Sequence, residues 1–148
     1  MDRGREQVYA AELAAFDGTE LEAVAPLPSL EALATRVTSG SWWPGPRVAV
    51  RASRADARSS TTRSREGSAE IRLAADQRTP ATLVHELAHA LAGSDAGHGP
   101  RYRRAHVDVA AVAFDTERAA WLEAAYLDHG LQIGERSWPD PPAATFAL

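Results

Sequence analysis

The sequence contains no cysteine and no lysine, and it has no long apolar run. The absence of cysteine excludes disulfides, thiolate metal sites and a cysteine nucleophile. No apolar stretch approaches the roughly 18 residues that a membrane helix requires, and no apolar signal core follows residues 1–6. We therefore expect a cytoplasmic protein with no membrane partner.

The overall composition is typical of a globular protein. The chain has 148 residues, of which 45% are apolar and 24% charged, and this balance favours a single domain over residues 1–148. All 16 basic residues are arginine, and the formal net charge is −4. The excess of acidic groups argues against a general nucleic-acid binder.

The apolar pattern predicts an α+β fold. We expect a helical N-terminal part (1–40), a small antiparallel sheet (47–73), the helices of a zinc site (79–130) and a loose, proline-rich tail (131–148). Alternation of apolar and polar residues predicts sheet strands at 47–51 and 69–73. The Arg/Ser/Thr-rich sequence between these two strands is compatible with a further strand or with a loop.

The strongest motif is His85-Glu86-x-x-His89, within a predicted helix that Thr79 caps and Gly93 ends. Two histidines four residues apart lie on the same face of a helix, so their imidazoles can converge on one zinc ion. The intervening glutamate lies about 100° around the helix, on the side from which a water would approach. The pattern therefore predicts a zinc site with Glu86 as the catalytic base.

A catalytic zinc usually keeps three protein ligands and one open position, so a third ligand must follow the helix. We favour His98, nine residues after His89. Asp95 has the spacing of the metzincin third ligand, but that pattern requires glycine where this chain has Ala92. A later glutamate is a further alternative, either Glu117 or Glu123.

The donor that would stabilise an oxyanion stays open at this stage. The candidates are polar side chains after the motif, namely Tyr102, Tyr126, Arg101, Arg103 and His129. We expect Tyr102 to pack and His129 to act as a cation at a helix C-terminus. His106 and Asp108 are expected either to support a zinc ligand or to lie on a solvated face.

The motif His85-Glu86-x-x-His89, a short glycine-containing loop and His98-Gly99-x-x-Tyr102 resemble the SprT-like zinc metalloproteases. The chain is most similar to an actinobacterial family of small metallohydrolases related to them, and the stretches Gln7–Glu12 and Tyr126–Gly130 add weakly to the likeness. The resemblance implies a zincin-like minidomain with one zinc per chain, held by His85, His89 and His98, and Glu86 as the base. The chain lacks the cysteines of an appended zinc ribbon, which puts DNA-linked substrates in doubt.

The expected function is therefore that of a zinc-dependent metallopeptidase acting on a peptide or protein substrate. A zinc-activated water would attack the peptide carbonyl, with Glu86 as general base. An exposed edge of the strand at 69–73 would bind the peptide in extended form. The alternatives are a zinc amidohydrolase acting on a non-protein substrate and a non-catalytic, zinc-bound regulatory or binding module.

Residues 47–65 hold six arginines against one aspartate, which makes a nucleic-acid partner possible although it is not favoured. No aromatic residue in this segment could stack on a base, and the rest of the chain is net negative. We expect no submicromolar DNA binding at about 150 mM salt. Fluorescence anisotropy over a salt series would check this, with a control variant in which serine replaces Arg51, Arg54, Arg58, Arg63 and Arg65. Tight binding that this variant loses would establish a nucleic-acid partner.

Overall fold

The computed structural model describes residues 4–54, 58–63 and 67–142. In these ranges the chain forms an α+β arrangement of five α-helices and three strands, as the sequence predicts. The elements are α1 (Arg5–Phe16), α2 (Leu27–Thr38), β1 (Arg47–Ala52), β2 (Ser60–Arg63), β3 (Ser68–Leu73), α3 (Pro80–Ala92), α4 (Pro100–Ala113) and α5 (Thr116–Asp128).

Parts of three sequence expectations lie outside the described residues. These parts are residues 1–3 of the helical N-terminal part, Arg65 of the arginine-rich segment and residues 143–148 of the tail. Within the described ranges, no helix combines the length and the apolar character that a membrane span requires.

The sheet is mixed, so the expectation of an antiparallel sheet is wrong. Its strand order is β1-β3-β2, with β1 parallel to β3 and β2 antiparallel to β3. The reason is that the Arg/Ser/Thr-rich segment contains a strand of its own. The chain reverses direction once before β2 and once after it, so β1 and β3 point the same way.

Strand β3 is bonded on both sides and offers no free edge. The expectation that residues 69–73 bind a peptide at an exposed edge is therefore wrong. The edge strand that reaches the motif helix is β2, where the Thr61 hydroxyl hydrogen-bonds groups of Glu86.

Helix α3 lies at the centre of the hydrophobic core and packs against α4 and the sheet. Its predicted start is confirmed, because the Thr79 hydroxyl accepts a hydrogen bond from the Thr82 N–H at 3.1 Å and Pro80 occupies the first turn. Its end is also confirmed, since Gly93 adopts a positive φ of 94°. The helix that carries the motif is thus defined at both ends by local sequence.

Helix α1 buries one face against the core. Leu13 is 56% exposed, whereas Glu12 is only 9% exposed. The buried stripe consists of Val8, Glu12 and Phe16 at intervals of four residues, with Ala11 beside them. A carboxylate therefore enters the interior at a position where the apolar pattern calls for a hydrophobic residue.

Helix α2 has Pro26 as its N-cap, in extended conformation. Pro28 stands in the first turn, where a missing N–H leaves no hydrogen bond unmade. The buried residues Leu30, Ala34 and Val37 are three or four positions apart and form one apolar face of the helix.

The tail is not loose over its described part. Trp138 is only 6% exposed, and its indole N–H donates to Asp108 Oδ2 at 2.9 Å. The Arg136 guanidinium donates to both oxygens of the same carboxylate at 2.8 and 3.0 Å. Asp108 is itself buried and does not lie on a solvated face. The sequence did not indicate this attachment, because Asp108 lies 28 residues before Arg136 and 30 residues before Trp138.

Replacing Asp108 with alanine should detach the tail. The substitution leaves the Trp138 N–H without a partner and removes both Arg136 bonds, so the free energy of unfolding should fall by about 2–4 kcal/mol. Urea denaturation would measure the loss, and acrylamide quenching would report Trp138 exposure. Asp140→Ala is the matched control, because Asp140 is exposed and pairs only with the outer end of Arg136. Equal effects of the two substitutions would contradict the role of Asp108.

Candidate metal centre

The motif places two histidines and one glutamate on the buried part of α3. His85 is 4% exposed and Glu86 is 7% exposed, while His89 is partly buried. The imidazoles of His85 and His89 lie one turn apart, with ring centroids separated by 5.2 Å. The helix thus presents two ligands from the same face, as the spacing predicts.

His98 completes the group. Its Nε2 lies 3.2 Å from Nε2 of His89 and 3.3 Å from Nε2 of His85. The loop between α3 and α4 turns back through the positive-φ residue Gly97, and the Arg103 guanidinium holds the His98 carbonyl at 2.8 Å. Three Nε2 atoms from one helix and the following loop therefore converge on one point.

The spacing of these nitrogens fits a tetrahedral zinc ion. Zinc–nitrogen bonds of 2.0–2.1 Å in tetrahedral geometry place neighbouring nitrogens about 3.3 Å apart. A cation also suits three facing imidazole nitrogens chemically. A single proton can bridge only two of them, whereas a metal ion accepts the lone pairs of all three at once. His85, His89 and His98 could accordingly hold a metal ion.

The other sequence candidates for a third ligand do not join this group. Asp95 and Glu117 are exposed, and Glu123 lies on α5. Within the described residues, the groups able to hold a metal contain none of the three.

Glu12 of α1 lies behind His85. Its Oε2 accepts a hydrogen bond from Nδ1 of His85 at 3.2 Å. A proton held on Nδ1 leaves the Nε2 lone pair free to face the other ligands, which is the usual arrangement of a metal-binding histidine. Glu12 therefore selects the tautomer and orientation of His85.

Opposing effects act on the ionisation of this pair. Burial would raise the pKa of Glu12, but the charge of His85 and hydrogen bonds from His106 and His85 outweigh it and hold the pKa well below its usual range. Burial would likewise lower the pKa of His85, but the charge and hydrogen bond of Glu12 raise it. A carboxylate that favours positive charge on His85 also favours a cation at its Nε2.

His106 extends the network away from the ligands. Its Nε2 lies 3.4 Å from the second oxygen of Glu12, and its Nδ1 lies 2.6 Å from the hydroxyl of Tyr126. Burial lowers the pKa of His106 against the opposing effect of Glu12, and burial raises the pKa of Tyr126. Both pKa shifts agree with a neutral His106. In this form Nδ1 accepts a hydrogen bond from the Tyr126 hydroxyl, and the Nε2–H faces Glu12. This arrangement supports the predicted role of His106 behind a ligand.

Glu12, His85 and His106 form a second group that could geometrically hold a metal. We favour the three-histidine group, because the Glu12 carboxylate is already bonded to Nδ1 of His85 and lies 3.4 Å from Nε2 of His106. The Nε2 atoms of His89 and His85 lie 3.2 and 3.3 Å from Nε2 of His98, which is the spacing of nitrogens around a tetrahedral zinc ion.

The Glu86 carboxylate is oriented by the neighbouring strand. The Thr61 hydroxyl lies 2.6 Å from Oε1 of Glu86 and 3.1 Å from its backbone carbonyl. Since one hydroxyl proton serves one acceptor at a time, the shorter contact to the carboxylate is the stronger bond. The edge strand β2 thereby fixes one oxygen of the Glu86 carboxylate.

The oxyanion candidates from the sequence are all engaged elsewhere. The Tyr102 hydroxyl donates to the His85 carbonyl at 3.1 Å within the core, and burial raises its pKa, so the expected packing role holds. The remaining candidates bond to His106 or to backbone carbonyls, and they are Tyr126, Arg101, Arg103 and His129.

A tyrosine that the sequence did not single out does reach the site. The Tyr9 ring stacks on His85 with centroids 5.2 Å apart and an interplanar angle of 7°, and Tyr9 is 43% exposed. Glu12 and Thr61 were missed as well. Of the three, only Glu12 left a signal, as an acid at the middle of the i, i+4, i+8 stripe formed with Val8 and Phe16.

Comparison with known proteins adds no assignment. No family model matches the chain, and searches of curated proteins and of solved structures return no significant match.

We expect one zinc ion per folded chain, bound by the three histidines. A site assembled from a helix and a loop exists only in the folded state, so binding should raise the melting temperature and a chelator should lower it. At zinc concentrations about 1,000-fold above the dissociation constant, the stabilisation should be about 4 kcal/mol. Plasma mass spectrometry and differential scanning calorimetry measure the two effects.

The third ligand is tested by a matched pair of alanine variants. His98→Ala should lose most of the bound zinc, whereas Asp95→Ala, in the same loop, should retain it. Zinc loss confined to the Asp95 variant would show that the third ligand is wrongly assigned.

Proposed function

We propose that the protein is a zinc-dependent hydrolase and that its substrate is a peptide bond. The observation that carries the proposal is the carboxylate of Glu86, oriented by Thr61 and adjacent in the chain to one of three converging imidazoles. A metal site with a purely structural role would need no carboxylate beside its ligands. This feature favours hydrolysis over a regulatory or binding role.

The three histidines would hold the metal, and Glu86 would move the proton. A zinc ion held there would supply a Lewis acid able to lower the pKa of a water toward about 7 and to polarise a carbonyl. With Oε1 held by the Thr61 hydroxyl, Oε2 of Glu86 accepts a proton from the attacking water. The same oxygen then returns the proton to the leaving nitrogen, which makes the amine a better leaving group.

The edge strand β2 supports a peptide as the substrate. Within the described part of the chain, strand β2 is bonded to β3 on one side only, and Thr61 on β2 contacts Glu86. An extended peptide that pairs with this edge through its backbone runs past the carboxylate and presents its carbonyls to it. A small amide lacks the backbone needed for such pairing, so this edge favours a peptidase over an amidohydrolase.

We also propose that the chain belongs with the SprT-like metalloproteases in a zincin-like fold. Support comes from the order of the ligands, from the short loop before His98-Gly99 and from Tyr102 packed beneath the ligands at the family's aromatic position.

Replacing Glu86 with glutamine separates metal binding from catalysis. Glutamine keeps the shape of the side chain and can still accept the Thr61 bond, but it cannot take up a proton. We expect bound zinc and the melting temperature to change little, and kcat on a cleaved peptide to fall by about 10²- to 10⁴-fold. Zinc content and peptide turnover, followed by mass spectrometry, are the measurements.

The control is Glu117→Gln, an equal change in charge at an exposed position on α5. It should keep full activity. Undiminished turnover by the Glu86 variant would show that this residue is not the base, and failure of the zinc-loaded protein to cleave any peptide in a diverse library would overturn the peptidase proposal.

A further inference from the structure

A cleft of about 490 Å³ opens directly beside His85 and Glu86. Helix α1 contributes Arg5 and Tyr9 to its lining, and the segment before β2 contributes Arg58. The residues proposed to carry out hydrolysis therefore share one concave surface with residues that the proposed reaction does not use.

Arg5 is linked to the metal centre through Tyr9. Its guanidinium carbon lies 5.6 Å from the centre of the Tyr9 ring, and that ring stacks on His85. Arg5 is exposed, and within the described residues it forms no ion pair with a carboxylate. Its positive charge is thus available to a ligand in the cleft.

Arg58 lies on a segment whose backbone is anchored. The N–H and the hydroxyl of Ser59 both donate to Oε1 of Gln77, at 3.2 and 2.7 Å, and Oγ of Ser59 accepts from the Ala74 N–H at 2.9 Å. These bonds hold the chain beside Arg58 at the cleft. Among the residues that the structure describes, Arg58 has no carboxylate partner either.

The acidic residues of the cleft do not cancel this charge. Glu12 is bonded to His85 and Glu86 to Thr61, which leaves the exposed Glu22 as the remaining acid of the lining. The summed positive charge of two guanidinium groups and a divalent cation exceeds the summed negative charge of the three carboxylates. The cleft of the metal-loaded protein therefore attracts an anionic group.

We infer that this cleft is a substrate subsite for a carboxylate borne by a residue close to the scissile bond. The inference rests on the proposed hydrolase function and names the class of peptide on which it acts. Arginine matches a carboxylate with two parallel hydrogen bonds, and Arg5 and Arg58 both line the space. The half-exposed ring of Tyr9 offers an apolar surface to the aliphatic part of the same residue.

Two sources can supply such a carboxylate, namely an aspartate or glutamate side chain and the C-terminus of the peptide. They are distinguished with zinc-loaded protein and two pairs of peptides of equal length. One pair has blocked termini and differs by an internal glutamate or glutamine, and the other has a neutral sequence that ends in a free carboxylate or an amide.

We expect the carboxylate member of at least one pair to have a kcat/KM about tenfold higher than its neutral partner. Arg58→Gln and Arg5→Gln should each bring this ratio toward one. Arg54→Gln is the matched control, because Arg54 lies four residues from Arg58, carries the same charge and does not line the cleft. The control should keep the ratio, which excludes a general effect of net charge.

Binding is measured separately from turnover. Calorimetric titration of the same peptides into zinc-loaded Glu86→Gln protein should show the same preference for the carboxylate members. Hydrolysis at equal rates within both pairs would overturn the subsite and leave the hydrolase function intact. Preferential binding without hydrolysis by the parent protein would overturn the function and leave the subsite, and the absence of both would overturn the two together.

Discussion

The structure depends on three imidazole nitrogens beside the hydrophobic core, of which the central one, Nε2 of His98, lies 3.2 and 3.3 Å from the other two. Such a cluster is unfavourable without a cation, because lone pairs removed from water need donors or a metal. An all-nitrogen donor set of this kind would suit zinc better than magnesium or calcium, which prefer oxygen ligands. The surrounding contacts can be understood as what keeps His85, His89 and His98 in this convergent arrangement.

Side chains from helices α1 and α4 support the cluster. Glu12 on α1 fixes the ring of His85, while Arg103 on α4 holds the backbone carbonyl of His98. Tyr102 packs beneath all three ligands, with ring centroids 4.4 to 5.5 Å away, and binds the His85 carbonyl. Each partner is itself buried, so none can relax into solvent when the ligands shift. This rigidity is what a site needs if its geometry is to be set before the metal arrives.

The parts of the site and fold that could be predicted are those with a local signature. The spacing of His85 and His89 follows from the helical repeat, and the ends of α3 and α5 follow from capping residues within a few positions. The direction of β1 relative to β3 had no local signature, because it depends on a strand in a segment that also fits a loop. The attachments of Glu12 and Trp138 were equally hidden, since their partners lie 73 and 30 residues away. Polar groups that are distant in the sequence are paired by tertiary packing, and the local pattern of residues does not reveal such pairs.

The attachment of the tail has a consequence for the timing of biosynthesis. The Arg103 guanidinium that steadies His98 also donates to the carbonyl of Gln132, and the Gly134 N–H bonds to the carbonyl of Pro100. The environment of His98 is therefore complete only after residues up to Gly134 have been translated, long after Glu12. A nascent chain that already exposes the motif helix still lacks the finished surroundings of His98, so any metal held by the three histidines would be bound stably only after this later segment has folded onto α4.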